Sequence, residues 1–213
     1  MHRTGNPVPK IFLRVLLVVV FSFGVLTLSP TKSSFSQDKS LVIAAVTTPK
    51  GFDPDVWVPG MIESVVNVYE GLTRYGRKRD TDGRLIIDSS VIEGHFAESW
   101  TVSENGLQYT FKLREGVKSA YGNEMTSADV VWGIEKSKPQ GRTGAFLMRV
   151  ARIADVEALS KYEVRYTLSM PNRIFLKVLA IYSPTIYDST EVKKHITDDD
   201  PWALEWISKN TAG

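Results

Sequence analysis

The sequence contains no cysteine among its 213 residues. Disulfide bonds, thiolate catalysis and zinc sites made of cysteine are therefore excluded, and we expect no lipid anchor on an N-terminal cysteine. The chain also has no Gly-rich phosphate loop, no dinucleotide fingerprint and no nucleophile-elbow motif. These absences argue against the motif-bearing enzyme classes, although a Ser/His/Asp triad can assemble from distant parts of a chain. We predict no catalytic residue and no cofactor.

Histidine is almost as scarce, with three in the chain. His95 lies between Glu93 and Glu98, and His195 is followed by the acidic run 198–200. Either group could be offered as a set of metal ligands, but a structural zinc site needs four closed ligands. A solvated charged segment explains both groups better, so no metal site is predicted.

The N-terminus has the pattern of a secretory leader. Basic residues precede an apolar run over 15–28, which is shorter than the roughly 20 residues that cross a bilayer. Small residues around Ser36 then suit cleavage by a signal peptidase. The sequence predicts a cleaved signal peptide over 1–36 and a periplasmic location, with an uncleaved membrane anchor as the alternative.

The formal net charge of +2 comes from this leader. The leader holds four basic residues and no acidic ones, so the rest of the chain is slightly acidic. A nucleic-acid-binding protein needs a clear basic excess. We therefore predict no nucleic-acid partner.

The most regular pattern lies in the middle of the chain. Apolar and polar residues alternate over 107–113, which predicts a strand with one buried face. Asn105 and Gly106 suit a tight turn that joins it to a preceding strand. Thr126 and Asp129 have the spacing of a capping box, so a helix is predicted to begin there.

Other local patterns predict further elements. In chain order these are a helix over 61–69 with Ile62, Val65, Val66 and Tyr69 on its buried stripe, a polar surface excursion over 74–94 with a turn at Asp82-Gly83, a loop over 139–143, a helical or mixed segment over 149–160, a strand over 163–168, an amphipathic helix over 172–181 with Phe175, Leu176 and Leu179 inward, and a helix capped by Asp200 with Pro201 at its first position.

The order of residues in the central region resembles a known family. Three segments carry the resemblance: VYEGLTRY at 68–75, FAESWTVSENGLQYTFKLREGVK from Phe96, and MTSADVVWGIEK from Met125. They are similar to the signature of the family 5 extracellular solute-binding proteins of ABC transporters, the peptide- and nickel-binding type. The resemblance covers roughly residue 41 to the end, and the stretch 86–94 is extra relative to the family pattern.

The resemblance implies a mixed α/β fold (α+β), periplasmic-binding-protein-like type II. The implied division is a signal peptide (1–36), the first strand and cleft loop of lobe I (37–60), an inserted smaller subdomain (61–150) and a return into lobe I (151–213). Complete family members are more than twice this length, so the resemblance implies an N-terminal portion whose second lobe is missing. Such a portion lacks half of a two-lobed cleft and is not expected to close around a solute alone.

The function implied by the resemblance is that of the periplasmic solute-binding component of an ABC importer. It would capture a peptide or similar small solute and deliver it to a permease in the inner membrane, and would be a monomer when complete. The alternative is a secreted α+β hydrolase or chaperone-like domain that shares only the hairpin.

The resemblance also places a candidate binding site. The apolar run 41–46 is expected to form the first strand of lobe I and to lead into a loop at the rim of the ligand cleft. The predicted ligand contacts are Thr48, Gly51, Phe52 and Trp57, since glycine permits close backbone approach and the aromatic rings supply apolar walls. An ordinary Gly/Pro loop with no ligand role remains the alternative at this position.

Overall fold

The computed structural model describes residues 51–56, 62–181 and 186–213, which belong to one compact unit. The predicted leader, the predicted strand 41–46, Thr48 and Trp57 lie outside the described residues. Among the described residues, no helix has the length and apolar character that crossing a bilayer would require.

The first described helix confirms the predicted one at 61–69. Helix α1 spans Ile62–Val68, and Val65 and Tyr69 are buried. Val66 is 52% exposed, so its predicted place on the buried stripe is wrong. The buried stripe is narrower than the apolar pattern indicated.

A β-hairpin occupies the region predicted as a polar surface excursion. Strands β1 (Thr73–Arg79) and β2 (Leu85–Gly94) pair antiparallel, so two strands were missed, although most of the segment is exposed as predicted. Only the turn was foreseen: Gly83 has φ 78°, and the Asp80 carboxylate accepts from the Asp82 amide. The outer half of the hairpin is exposed on both faces, and therefore it has no burial alternation for the sequence to display.

The central sheet has four antiparallel strands. They are β3 (Ala97–Val102), β4 (Gln108–Leu113), β5 (Ile153–Ser160) and β6 (Glu163–Leu168), in the order β3-β4-β6-β5. The predicted turn is confirmed by Gly106, which has φ 69°. The predicted alternation is confirmed as well, since Phe111 and Leu113 are fully buried whereas Lys112 is exposed.

Two helices lie between β4 and β5 in the sequence. Helix α2 spans Ser127–Gln140 and begins with the predicted Thr126–Asp129 capping box, in which the Thr126 amide donates to Asp129 Oδ2 over 2.7 Å. It runs through Pro139 and ends at Gly141, so the loop predicted over 139–143 is shorter than expected. Pro139 stands in the last turn, where it removes one backbone hydrogen bond just before the helix ends.

Helix α3 (Thr143–Ala151) and strand β5 divide the segment 149–160, which was predicted to be helical or mixed. The helix ends at Arg152, whose φ of 64° is left-handed, and the chain then enters β5. The mixed alternative is therefore confirmed and the wholly helical one is wrong; β5 has only Val156 buried and gives a weak strand pattern. Strands β5 and β6 complete the sheet begun by β3 and β4, so the sheet extends across the predicted domain boundary at residue 150.

The last part of the described chain contains short helices. Helix α4 (Phe175–Leu179) is shorter than the predicted 172–181. Helix α5 (Ser189–Val192) leads into a 3-10 turn at Lys193–His195, and α6 spans Leu204–Lys209. Asp200 does accept from the first amides of α6, Leu204 and Glu205, both over 2.9 Å. The N-cap of α6 is Ala203, however, so the predictions of Asp200 as the N-cap and of Pro201 at the first helical position are both wrong.

The core has two clusters on opposite sides of α2. The larger one lies between the four-stranded sheet and helices α2 to α4 and contains Phe111, whose ring centroid is 5.7 Å from that of Tyr166. The smaller one gathers Trp132 of α2 with buried side chains of α1, α6 and the segments beside them: Val65, Tyr69, Tyr187, Val192, Ala203, Ile207 and Ala212. Helix α2 is therefore buried on more than one side, which brings its C-terminal half against the loop 51–56.

Candidate functional site

The predicted rim loop is described only in part, at residues 51–56. Gly51 has φ 146°, and a Cβ there would lie 2.8 Å from the carbonyl oxygen of Ser208 in α6. The Phe52 amide donates to the same carbonyl over 3.3 Å, and the Phe52 side chain is half-buried. The close approach that requires glycine here is thus made to α6. Whether Gly51 and Phe52 also contact a solute stays a prediction.

Directly after these two residues the loop enters a buried ion cluster, which we define as Lys136, Asp53, Asp55, Ser137 and Tyr187. Lys136 Nζ donates to Asp53 Oδ1 over 2.5 Å and to Asp55 Oδ2 over 3.0 Å. It also donates to the Tyr187 hydroxyl over 3.0 Å. All three N–H groups of the ammonium therefore have an acceptor, and its side chain is fully buried.

The remaining members complete the pairing of the carboxylates. The Tyr187 hydroxyl donates to Asp53 Oδ1 over 3.2 Å, and the Ser137 hydroxyl donates to Asp55 Oδ2 over 2.7 Å. Burial raises the pKa of Tyr187 well above its ordinary value, and the charges of Asp55 and Asp53 raise it further. Tyr187 thus stays protonated and serves as a donor, and the ring also lies 4.6 Å from Lys136 Nζ.

Helix α3 closes the cluster from another side. The Thr143 amide donates to the Asp55 carbonyl over 3.1 Å. A Cβ on the next residue, Gly144, would collide with the Asp55 carboxylate and would lie 2.8 Å from Ser137 Oγ. The first turn of α3 can approach this closely only because residue 144 is glycine.

The cluster was not predicted from the sequence. Asp53 and Asp55 are more than eighty residues from Lys136 in the chain, so no local motif joins them. One signal was available: Lys136 stands four residues after Trp132, which places a lysine on a buried helical stripe. A lysine at such a position requires acidic partners from elsewhere in the fold.

A second buried carboxylate joins α5 to the turn after β4. Asp188 accepts from Ser119 Oγ over 2.6 Å and from Asn123 Nδ2 over 2.9 Å, while its other oxygen caps the Glu191 amide. Asp129, besides capping α2, accepts from the Ser189 amide over 2.9 Å. These bonds fix the N-termini of α2 and α5 to each other.

Two open pockets lie on the surface near these junctions. One of about 290 Å³ has mostly apolar walls that include Phe96 and Met125. The other, of about 420 Å³, contains the ring of His195 stacked on Trp206 with centroids 4.2 Å apart. Neither of these two pockets is lined by Gly51 or Phe52.

The two histidines considered as metal ligands have acidic neighbours but no metal-binding group around them. His95 Nε2 lies 3.6 Å from Glu70 Oε1, and His195 Nε2 lies 3.4 Å from Glu191 Oε1. Within residues 51–56, 62–181 and 186–213, no three His, Asp or Glu side chains come together in a way that could hold a metal ion.

A comparison with known families gives the class of protein. Residues 91–213 match the model of the bacterial extracellular solute-binding proteins, family 5 (its middle part). The match covers more than half of the chain, and the chain belongs to this family.

Individual relatives agree with that assignment. The chain is 31% identical over 176 residues to the protein named "Probable D,D-dipeptide-binding periplasmic protein DdpA" of Escherichia coli (strain K12), covering 81% of this chain and 32% of that protein. It is 30% identical to the nickel-binding periplasmic protein of the same organism, covering 72% of this chain and 29% of that one. The chain thus spans about a third of the length of these relatives.

Solved structures share the fold. The periplasmic binding protein DppA from Helicobacter pylori, in complex with the peptide STSA, superposes with a TM-score of 0.57 at 23% identity, covering 73% of this chain and 32% of that one. The mixed α/β fold of the periplasmic-binding-protein type II class is thereby confirmed for the part of the fold that this chain represents.

Proposed function

We propose that this chain belongs to the solute-binding component of an ABC importer that captures a peptide or a similar small solute. The observation that carries the proposal is the family match over 91–213, supported by a relative named for dipeptide binding. The captured solute would be passed to a permease in the inner membrane. Binding rather than catalysis is proposed, because the matching family and the named relatives are solute-binding proteins.

The proposed contacts are Thr48, Gly51, Phe52 and Trp57, at the rim of the cleft. Capture would proceed by closure of two lobes about a hinge, with backbone hydrogen bonds supplying affinity. Water-filled space around the side chains of a peptide would allow different sequences to bind. The half-buried Phe52, held at the end of α6, offers an apolar surface for such a ligand.

Thermal unfolding of the protein expressed from its complete reading frame tests this proposal. The probes are L-alanyl-L-alanine, D-alanyl-D-alanine, the tetrapeptide Ser-Thr-Ser-Ala and nickel with L-histidine, with free alanine as the control. A probe at about 100 times its Kd adds about 2.7 kcal/mol to the free energy of unfolding. At about 2.1 cal/mol/K of unfolding entropy per residue, a protein about three times as long as this chain shifts by roughly 1 °C or less per kcal/mol, so Tm rises by about 2–3 °C.

A shift with one of the peptides and none with alanine supports the proposal. A shift with nickel and L-histidine alone would replace peptide capture by metal capture. Release of free amino acids from a peptide, without any Tm shift, would contradict the proposal and favour the hydrolase.

We further propose export to the periplasm by a signal peptide cleaved near Ser36, without a lipid anchor. Intact mass measurement of the protein from the periplasmic fraction of a Gram-negative host tests this. A mass lacking about the first 36 residues is expected from the leader pattern. Recovery of the uncut chain in the membrane fraction would instead support the anchor.

A further inference from the structure

The buried ion cluster lies directly behind the part of the rim loop that carries two proposed contacts. Gly51 and Phe52 immediately precede Asp53, which is held by Lys136. Consecutive Cα atoms are a fixed distance apart, about 3.8 Å across a trans peptide. The position of the Asp53 backbone therefore limits where Gly51 and Phe52 can be.

Charge distinguishes the contacts that hold this loop. Lys136 Nζ is 2.5 Å and 3.0 Å from its two carboxylate partners. The neutral donors around the loop make backbone bonds of 3.0 to 3.3 Å and one bond from the Ser137 hydroxyl to Asp55 over 2.7 Å. The contacts to Lys136 involve full charges in a site from which water is excluded, where such bonds are strongest.

Overall stability alone does not explain why a lysine is placed here. Replacing a buried ion pair by well-packed apolar side chains is often neutral or stabilising. The ammonium instead specifies one geometry, because its three N–H groups meet three acceptors in a single arrangement of Asp53, Asp55 and Tyr187. A loop fixed in one arrangement before the solute arrives loses less entropy when the solute binds.

We propose that Lys136 is a positioning residue for solute binding, which fixes Gly51 and Phe52 at the cleft rim by holding Asp53 and Asp55. The inference rests on the proposed function. Lys136 itself is fully buried and makes no contact with the solute. Its effect on affinity passes through the loop.

Gly144 provides a second, independent way to disturb the same loop. Its hydrogen atom faces the Asp55 carboxylate, so Gly144→Ala would push Asp55 away while leaving Lys136 in place. A matched control is Val164→Ala, because Val164 is fully buried in the larger core cluster, whereas Tyr187 of the ion cluster belongs to the smaller one. We expect Lys136→Met, Gly144→Ala and Val164→Ala all to lose stability, but only the first two to displace the loop.

The experiment measures two quantities for wild type, Lys136→Met, Gly144→Ala and Val164→Ala, at a temperature well below the Tm of each. The first is the Kd for whichever of the four probes raises the wild-type Tm, by isothermal titration calorimetry. The second is hydrogen exchange of the amides of Phe52, Asp55 and Val56, which donate hydrogen bonds, against those of β3, which carries none of the substitutions, with no solute present. The exchange measurement reads the loop position without depending on binding.

We expect Lys136→Met and Gly144→Ala to weaken binding by at least about tenfold and to lose protection at these three loop amides while β3 stays protected. Val164→Ala should bind within about twofold of wild type. An unchanged Kd in Lys136→Met, or an equal loss in Val164→Ala, would overturn the inference. If wild type binds no probe, the proposed function fails, and unaltered protection of the three loop amides in Lys136→Met then refutes the positioning role separately.

Discussion

Replacing Lys136 with methionine should destabilise the protein by far more than any exposed lysine does. Its side chain is fully buried, and those of Asp53 and Asp55 are 3% and 1% exposed. Methionine fills a similar volume but leaves two buried carboxylates without a cation. Removing one partner of a buried ion pair costs about 3–5 kcal/mol, and we expect a loss in this range.

Lys138 provides a control on the same helix. It pairs with Glu135, but the two side chains are 36% and 44% exposed. Exposed pairs of this kind contribute about 0.2–1 kcal/mol, so Lys138→Met should cost no more than that. Urea unfolding followed by circular dichroism gives both free energies, provided that the slopes of the transitions agree between the variants.

A third variant separates charge from packing. Adding Asp53→Asn and Asp55→Asn to Lys136→Met removes the unpaired charges, and part of the lost stability should return. A Lys136→Met loss of less than about 1 kcal/mol, equal to that of an exposed pair, would refute the reasoning from burial. A triple variant no more stable than Lys136→Met would show that packing rather than charge carries the effect.

Three further perturbations test other parts of the structure. Hydrogen bonds from Lys161 and, to a smaller extent, Tyr162 lower the pKa of Glu124 from its ordinary value of 4.5 to about 2. The stabilisation of the folded state by ionised Glu124 is therefore complete above pH 4.5 and is lost as the pH falls toward 2. The Tm difference between wild type and Glu124→Gln should vanish over that interval, and a difference independent of pH would contradict this assignment. Asp129→Ala removes a helix cap and the acceptor of a buried amide, and should cost about 1–3 kcal/mol in urea unfolding, whereas Asp129→Asn, which keeps an acceptor oxygen, should cost less. Phe111→Ala, at a fully buried site, should cost about 3–5 kcal/mol, and Ile87→Ala, at a site that is 69% exposed, about 0.5 kcal/mol or less; similar losses would show that the core is assigned wrongly.

The elements that were predicted correctly depend on neighbours in the sequence. The turn at Gly106 and the capping box of Asp129 are determined by backbone rules that act over three or four residues. The burial of Phe111 follows from a period of two within one strand. Each of these signals is complete inside a short window of the chain.

The features that were missed depend on distant partners. Strand β5 shows little alternation and becomes a strand because β6 pairs along its whole length. The outer part of the β1–β2 hairpin is exposed on both faces, so only pairing defines it. The same limit applies to the site, where Asp53 and Lys136 meet across eighty-three residues of chain. The ligand role of Gly51 was inferred from the conformational freedom of glycine, but what the structure shows is that this freedom permits close packing on α6.

The strand order of the central sheet has a consequence for how the chain acquires its structure. Pairs β3–β4 and β5–β6 are each formed by strands adjacent in sequence, and they are joined only by β4 meeting β6. Contacts between neighbouring strands in the sequence close short loops and form early. The pairing of β4 with β6 closes a longer loop that contains α2, α3 and β5, and it therefore forms later. Substitutions that weaken the β4–β6 pairing should therefore slow folding, whereas substitutions in the outer strands β3 and β5 should change the folding rate little. The pairing of β4 with β6, rather than the local turns, therefore limits the folding rate of this sheet.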